Sequence, residues 1–129
     1  MKRVLSDEPQ VTLWGTGLPT REFLYVDDAA RALLLAAERM DDPAPFNVGT
    51  GIETSIRELA ESVRALVGYE GEIVWDSSRP DGQPKRFLDV SRAREMIGYE
   101  AEMALEEGLK RTIASFRSQT VPRSAGARG

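Results

Sequence analysis

An alanine-rich segment, AARALLLAAERM at residues 29–40, does most to limit the folds open to this chain. As a helix it carries apolar residues around most of its circumference, and not along a single stripe. Such a helix needs cover on several sides, so the segment predicts a layered domain and not a solitary surface helix. Asp27 or Asp28 can cap its N-terminus, and the DDPAP sequence at residues 41–45 ends it.

Short strands are predicted around this helix. The first, VTLW, ends at turn-forming glycines and a proline, and EFLYV is rich in β-forming residues. FNVG has the pattern of a short buried strand, and EIVWD alternates apolar and polar residues. These four strands occupy residues 11–14, 22–26, 46–49 and 72–76.

Three further helices follow from local signals. Ser55 and Glu58 form a capping box, the apolar residues after them share one face, and Gly68 provides the C-terminal stop. Ser91 can cap a short helix that ends at Gly98, and a last helix is predicted at residues 104–116. The order is two strands, helix, strand, helix, strand and two helices, which predicts a mixed α/β or α+β fold.

The length of 129 residues suits one domain. We divide the chain into a leader at residues 1–10, a domain at 11–117 and a small, polar tail at 118–129 that we expect to be disordered. No apolar run is long enough to span a bilayer, and no secretory signal pattern is present, so a cytoplasmic protein is expected.

Composition removes several kinds of site. The chain has no cysteine and no histidine, which excludes disulfides, zinc-thiolate centres and a histidine base. We therefore predict no metal site. The net charge of −4 argues against nucleic acid or an anionic membrane as a partner, because such binders need a dominant positive field.

Arg21 stands between a loop rich in glycine and the segment 22–26. Glycines let the backbone approach a ligand closely, and an arginine at the root of a strand loses little freedom when it grips a phosphate. The alternative is a surface arginine paired with Glu22 or Asp28.

Arg79 and Asp81 lie together in the loop sequence SSRPDG. A guanidinium there suits an anionic group and a carboxylate suits a hydroxyl pair such as a ribose diol, although Pro-Asp-Gly is also a common turn. Trp14 is either a flat surface for a sugar or base, or a core aromatic. The NVGTG sequence at residues 47–51 matches neither the P-loop nor the three-glycine dinucleotide fingerprint, and a tight turn explains it better.

These stretches resemble extended short-chain dehydrogenase/reductases, the NAD-dependent epimerase/dehydratase family, and within them most closely the GDP-L-fucose synthase branch. The resemblance is carried by VTLWGTGLPTREFLYVDDAARA, FNVGTGIETSIRELAESV and VGYEGEIVWDSSRPDGQPKRFLDVSRA, and spans residues 11–116. It implies a Rossmann domain that binds NADP and a smaller C-terminal domain that closes over a nucleotide-diphosphate sugar. By motif position, Trp14 and Arg21 would line the sugar-nucleotide site, with Arg21 and Arg79 on the diphosphate and Asp81 on the ribose.

The chain departs from this family in its catalytic motifs. It has no glycine-rich dinucleotide turn and no tyrosine followed four residues later by lysine; Ala29, Ile73 and Met103 stand at that spacing after Tyr25, Tyr69 and Tyr99. We therefore assign no catalytic or cofactor-binding residue, and expect a truncated or split piece that does not perform hydride chemistry alone.

Three functional hypotheses remain open. The first is the GDP-sugar-binding portion of a fucose synthase-like enzyme that works with a Rossmann half in cis or in trans. The others are a piece of a UDP- or dTDP-sugar epimerase or dehydratase, and a non-catalytic protein-interaction module. In the family the helix after VDD and the FNVG segment pack with the Rossmann sheet, so their apolar surface predicts a homo-oligomer or an obligate complex.

Overall fold

A computed structural model describes residues 8–120. The helices are α1 (Val26–Arg39), α2 (Ile56–Val67), α3 (Ser91–Ile97) and α4 (Leu105–Thr120). The strands are β1 (Gln10–Trp14), β2 (Thr20–Arg21), β3 (Thr54–Ser55) and β4 (Glu72–Asp76). The mixed α/β class is the one predicted from the sequence, and strands and helices follow each other in the predicted order, although β2 and β3 are other segments than the predicted strands.

The strands form two small sheets. β1 runs parallel to β4, with Gln10 opposite Glu72 and Trp14 opposite Asp76. β2 pairs antiparallel with β3, and Thr20 also bridges to Lys85. The loop that follows β4 is thereby brought back against β2.

The most buried core lies where α1 packs on α3. Ala32, Ala93, Ile97 and Tyr99 form a buried cluster, and both Ala32 and Ala93 are fully inaccessible. Small alanines at this contact let the two helices approach closely. Partly buried apolar side chains surround the cluster: Leu35, Ala36, Met40, Phe46, Val48, Met96 and Ala101.

The predictions that rest on local sequence signals are confirmed. Ser55 and Glu58 form the predicted capping box, in which the Ser55 hydroxyl accepts from the Glu58 amide and the Glu58 carboxylate accepts from the Ser55 amide. Gly68 and Gly98 end α2 and α3 in the left-handed conformation, where glycine carries no steric cost. The predicted strands at residues 11–14 and 72–76 are β1 and β4.

Two predicted strands are wrong. Of the segment 22–26, residues 22–25 lie outside any strand and Val26 already begins α1. The segment 46–49 is irregular, although Phe46 and Val48 pack on the core as a buried strand would. β-forming composition makes a segment extended, but a strand also needs a neighbour to pair with, and the partner of β2 ends where α2 begins.

Two predicted helix caps are also wrong. Asp27 and Asp28 lie inside the first turn of α1, whose N-cap is Tyr25 without a side-chain bond. Ser91 is the first residue of α3, and its amide and hydroxyl both donate to Asp89 Oδ1, at 2.9 and 2.7 Å.

Secondary structure crosses both predicted domain limits, and the division into leader, domain and tail stays a prediction. Gln10 of the predicted leader is the first residue of β1, and α4 continues to Thr120, which takes residues 118–120 of the predicted tail into a helix. Residues 1–7 and 121–129 lie outside the described part of the chain.

One side of α1 is uncovered in the described part of the chain. Leu33 is 70% exposed and Leu34 is 66% exposed, while Ala32 between this side and α3 is buried. Within residues 8–120, no helix combines the length and the apolar character needed to cross a membrane.

Candidate functional site

Trp14, the last residue of β1, lies on the surface and not in the core. It is 71% exposed, and the guanidinium carbon of Arg79 stands 5.3 Å from the centroid of its ring. Arg79 Nε lies 3.6 Å from Asp76 Oδ2, across the end of β4. Trp14 is therefore not a core aromatic, and its ring is an exposed flat surface.

Asp81 is tied to the loop after β1. Its Oδ1 accepts from the Thr16 amide at 2.5 Å and its Oδ2 accepts from the Thr16 hydroxyl at 2.7 Å. The amide bond, and then the hydroxyl bond, hold the pKa of the Asp81 carboxyl below its usual value. The group is therefore ionised and purely an acceptor at neutral pH.

Arg21 ends β2 beside the same loop that carries Arg79 and Asp81. Arg21 is half-buried, and its Nη1 donates to the Thr20 carbonyl at 2.6 Å. Its Nη2 lies 4.0 Å from the position that a Cβ on Gly82 would occupy. The loop is held against β2 by the Thr20 amide, which donates to Pro84 O at 2.9 Å. Arg21 and the loop of residues 77–86 are thus neighbours.

We call Trp14, Arg21, Arg79 and Asp81 the arginine face. The sequence alternative in which Arg21 pairs with an acid does not describe the structure, because Glu22 and Asp28 are engaged elsewhere. Glu22 accepts from the Gly51 amide at 2.6 Å and the Leu88 amide at 3.2 Å, and Asp28 pairs with Arg31.

Residues of α2 hold the loop between Trp14 and Arg21 in place. Arg57 donates from its backbone to Gly17 O at 2.8 Å and from its side chain to Thr16 O at 2.6 Å. The Arg57 guanidinium also stacks on Trp75 at 4.8 Å, and the tip of that ring fills the space where a Cβ of Gly17 would be. Sequence reasoning missed Thr16 and Arg57, because their partners are distant in sequence and no local motif marks them.

Gly15, Gly17 and Gly49 do not present an open side to a nicotinamide dinucleotide. Such a cofactor needs glycines whose open side faces its phosphates. Here the open sides of Gly15 and Gly17 face Asp81 and Trp75, and that of Gly49 faces the Glu22 carboxylate. These three glycines serve internal packing. That the chain itself holds no cofactor stays a prediction.

NVGTG is a turn around an internal anion. Its Gly51 amide and the Thr50 hydroxyl both donate to Glu22 Oε1, at 2.6 and 3.3 Å. The place that a phosphate would occupy is taken by a carboxylate of the chain itself. Among residues 8–120, no cluster of histidine, cysteine or acidic side chains could hold a metal ion.

A second carboxylate, Asp28, lies deep in the fold. It is 4% exposed and accepts from the Glu102 amide at 3.1 Å, the Met103 amide at 2.9 Å and Arg31 at 3.2 Å. Burial raises the pKa of Asp28, but these bonds together outweigh burial and leave the pKa below its usual value. Arg31 in turn lies over the ring of Tyr99, at 5.3 Å from its centroid.

The cavities that the fold leaves open lie away from the arginine face. One, of about 240 Å³, opens beside Asp28's partners and is lined by Phe23, Thr50, Ile52, Thr54 and residues 101–105. Another, of about 170 Å³, continues along α4. No residue of the arginine face lines either cavity.

Comparison with known proteins gives a consistent family. Residues 1–49 match the NAD dependent epimerase/dehydratase family. The chain is 46% identical over 107 residues to a probable GDP-L-fucose synthase 1 of Oryza sativa subsp. japonica, covering 83% of this chain and 32% of the relative. It is 43% identical over 117 residues to the GDP-L-fucose synthase of Escherichia coli K12, covering 84% of this chain and 36% of the relative.

The fold leads to the same family. A crystal structure of UDP-glucose 4-epimerase with UDP-glucose from Thermotoga maritima matches with a TM-score of 0.83 and 39% identity, covering 92% of this chain and 38% of the other. The resemblance to extended short-chain epimerases and reductases is confirmed. The chain spans about a third of the length of the curated relatives it matches.

Proposed function

We propose that this chain, from the epimerase/dehydratase family, is the nucleotide-sugar-binding portion of a GDP-L-fucose synthase-like NADP-dependent epimerase/reductase. The observation that carries the proposal is the arginine face, where two guanidiniums, an exposed indole and an ionised carboxylate border one loop. Identities of 46% and 43% to GDP-L-fucose synthases support the GDP-sugar as ligand.

Each group of the arginine face has a part in this proposal. Arg21 binds the diphosphate, and its bond to the Thr20 carbonyl restricts the side chain before the ligand arrives. Arg79 neutralises further charge of the diphosphate from the neighbouring loop. Trp14 offers a flat apolar surface, and Asp81 accepts from the ribose hydroxyls.

The reaction itself belongs to a larger protein in this proposal. Hydride exchange with a sugar carbon is the chemistry that NADP would supply, and the described residues offer neither a cradle for it nor a tyrosine-lysine pair. A Rossmann half, in cis or in trans, would provide both. The exposed leucines of α1 would be covered by that half or by a second copy of the chain in a homo-oligomer.

Isothermal titration calorimetry of the full chain with GDP-mannose and GDP-fucose tests the proposal, first alone and then mixed with the N-terminal half of a GDP-L-fucose synthase. We expect heat of binding that disappears in the double variant R21A/R79A. R92A/R94A, on α3, removes the same two charges away from the arginine face and is the matched control. Absence of binding by the wild-type chain, both alone and with the N-terminal half, would refute the proposal.

A second candidate ligand is a UDP-sugar. The 39% identity and close structural match to the UDP-glucose 4-epimerase of Thermotoga maritima favour it. Titration with GDP, UDP and dTDP under the same conditions separates the two, because a preference of more than about tenfold corresponds to about 1.4 kcal/mol of base recognition. A preference for UDP or dTDP would move the chain to the epimerases or dehydratases of those sugars.

A third candidate, a non-catalytic interaction module, is favoured by the exposed side of α1 alone. Light scattering of the full chain distinguishes it. A dimer that forms regardless of nucleotide sugars, together with no heat in the titrations, would support the module and exclude the binding role.

A further inference from the structure

We infer that Glu22 is a positioning residue of the nucleotide-sugar site, whose carboxylate fixes Arg21 against the loop that carries Arg79. Glu22 does not pair with Arg21, and accepts instead from main-chain amides of two other segments. The inference rests on the proposed function and deepens it, because it names a residue that acts on the ligand through Arg21 and does not contact the ligand itself.

Backbone pairing alone gives Arg21 a weak hold. β2 consists of Thr20 and Arg21, and it pairs with Thr54 and Ser55 of β3. A ladder of two short strands is marginally stable without further contacts. An arginine that binds an anion from such a strand needs an additional anchor close by, and the next residue in the chain, Glu22, provides one.

The Glu22 carboxylate joins three segments of the chain. Its Oε1 accepts from the Gly51 amide at 2.6 Å, and its Oε2 accepts from the Leu88 amide at 3.2 Å. The Thr50 hydroxyl adds a longer bond to Oε1, at 3.3 Å. Bonds to a charged acceptor are stronger than those between neutral groups. A single side chain next to Arg21 thus holds the turn at residues 50–51 and the chain at Leu88 together.

The NVGTG turn is shaped to receive this carboxylate. Gly51 has a φ of 70°, a conformation in which glycine carries no steric cost, and its amide donates to Glu22. Gly49 is buried, and a Cβ there would collide with the Glu22 carboxylate. The two glycines of the turn therefore allow the close approach of Glu22.

The bond to Leu88 acts on the loop of residues 77–86. Leu88 lies two residues beyond this loop, and the Thr20 amide holds the loop from the same side by donating to Pro84 O at 2.9 Å. The bond between Thr20 and Pro84 is main-chain and remains in any side-chain variant, whereas the Glu22 bond can be removed by substitution. Glu22 thereby fixes the relative position of the two guanidiniums of the arginine face before a ligand arrives, which lowers the cost of binding.

The test is a double-mutant cycle in which GDP-mannose is titrated calorimetrically into the full chain. The proteins are the wild type, Arg21→Ala, Glu22→Gln and the double variant. Glu22→Gln keeps the shape of the side chain but puts an NH2 group where one oxygen accepted from an amide. We expect Glu22→Gln to weaken affinity about fivefold in the wild type, and less than about twofold when Arg21 is already alanine.

The direction of the change separates positioning from charge. Removal of a negative charge beside an anion site would by itself strengthen the binding of a diphosphate. Weaker binding by Glu22→Gln therefore reports lost positioning of Arg21. The matched control is Glu61→Gln, on the exposed side of α2, which removes one carboxylate away from these contacts and should leave the affinity unchanged.

The outcomes separate the inference from the function on which it rests. Unchanged or stronger binding by Glu22→Gln, or an equal loss in the presence and absence of Arg21, would overturn the positioning role and leave the nucleotide-sugar site standing. Failure of the wild type to bind GDP-mannose would overturn the proposed function and the inference with it. If circular dichroism shows that Glu22→Gln does not fold, Glu22→Asp, which keeps the charge but has a shorter reach, is judged by the same cycle.

Discussion

Asp28 and Asp81 are two carboxylates that both accept from distant backbone amides, in opposite environments. Each accepts a backbone amide from a segment 65 or more residues away, and each has a nearby arginine over an aromatic ring at 5.3 Å. Asp28 and its ring, Tyr99, are almost fully buried, whereas Asp81 and Trp14 are exposed. Asp28 also pairs directly with Arg31, whereas Arg79 pairs with Asp76 and not with Asp81. The two carboxylates therefore differ in burial and in the role of the nearby arginine.

At Asp28 the interactions are used within the fold. Amides of residues 102 and 103 and the guanidinium of Arg31 surround the carboxylate, which fastens α1 to the segment before α4. On the arginine face, Trp14, Arg79 and Asp81 are exposed to solvent and can contact a ligand. Perturbing Asp28 should therefore cost stability, and perturbing the arginine face should cost binding.

The largest expected effect is that of Asp28→Ala on stability. The change removes the charged acceptor of the part-buried amides of Glu102 and Met103 and the partner of Arg31, which costs about 3 kcal/mol of unfolding free energy. Urea denaturation followed by circular dichroism measures it. The neighbouring exposed residue gives the matched control, Asp27→Ala, for which we expect little change. Equal stability of the two variants would remove the distinction drawn between buried and exposed carboxylates.

The next effect is that of Arg21→Ala on ligand affinity. Loss of a charge-assisted bond to the diphosphate is worth about 2 kcal/mol, or about a 30-fold weaker affinity for a GDP-sugar. The urea midpoint should stay close to that of the wild type, because the side chain is only half-buried. Calorimetry measures the affinity, with R92A as control. An unchanged affinity would refute the role of Arg21.

Ser55→Ala tests whether a change in the helix that supports the loop affects stability alone. Removal of the α2 cap should cost about 1 kcal/mol of stability. GDP affinity should change little, because Arg57 and not Ser55 holds the Thr16 carbonyl. Ser62→Ala, inside the same helix, is the control and should not destabilise, since alanine is the better helix former. Loss of affinity in Ser55→Ala would mean that the cap, too, shapes the loop.

The smallest effect is a dependence on acid pH. The pKa of Asp28 is lower in the folded state than its ordinary value of 3.8, so its stabilising contribution is present above that value and is lost as pH falls through the lowered one. The stability difference between wild type and Asp28→Ala should be full at pH 7 and smaller at pH 3. Urea titrations at both values measure it. A difference that grows towards pH 3 would contradict the assigned direction.

The elements predicted correctly are those whose signals lie within a few residues. The Ser55–Glu58 box, Gly68 and Gly98 act inside one turn, and the alternation of β4 is visible in five residues. The segments 22–26 and 46–49 failed because strand formation depends on a partner. The sequence of these two segments indicates an extended backbone, but it does not indicate which strand they would pair with.

Residue chemistry in the sequence singled out the four residues of the arginine face, and the family motif gave them their roles. That they all border the loop of residues 77–86 is a structural finding. The connections that hold them were not predictable. Asp28 read as a helix cap because nothing near it in sequence discloses its bonds to residues 102 and 103. Thr16 and Arg57 meet across 41 residues, which no local pattern reports.

The parallel pairing of β1 with β4 has a consequence for how the domain is made. Gln10 meets Glu72 only after the stretch that contains α1 and α2 has been synthesised. A strand waiting for a late partner raises the contact order and slows folding on the ribosome. We expect α2, with its self-contained cap, to form early, and the nascent β1 to be the segment that chaperones protect.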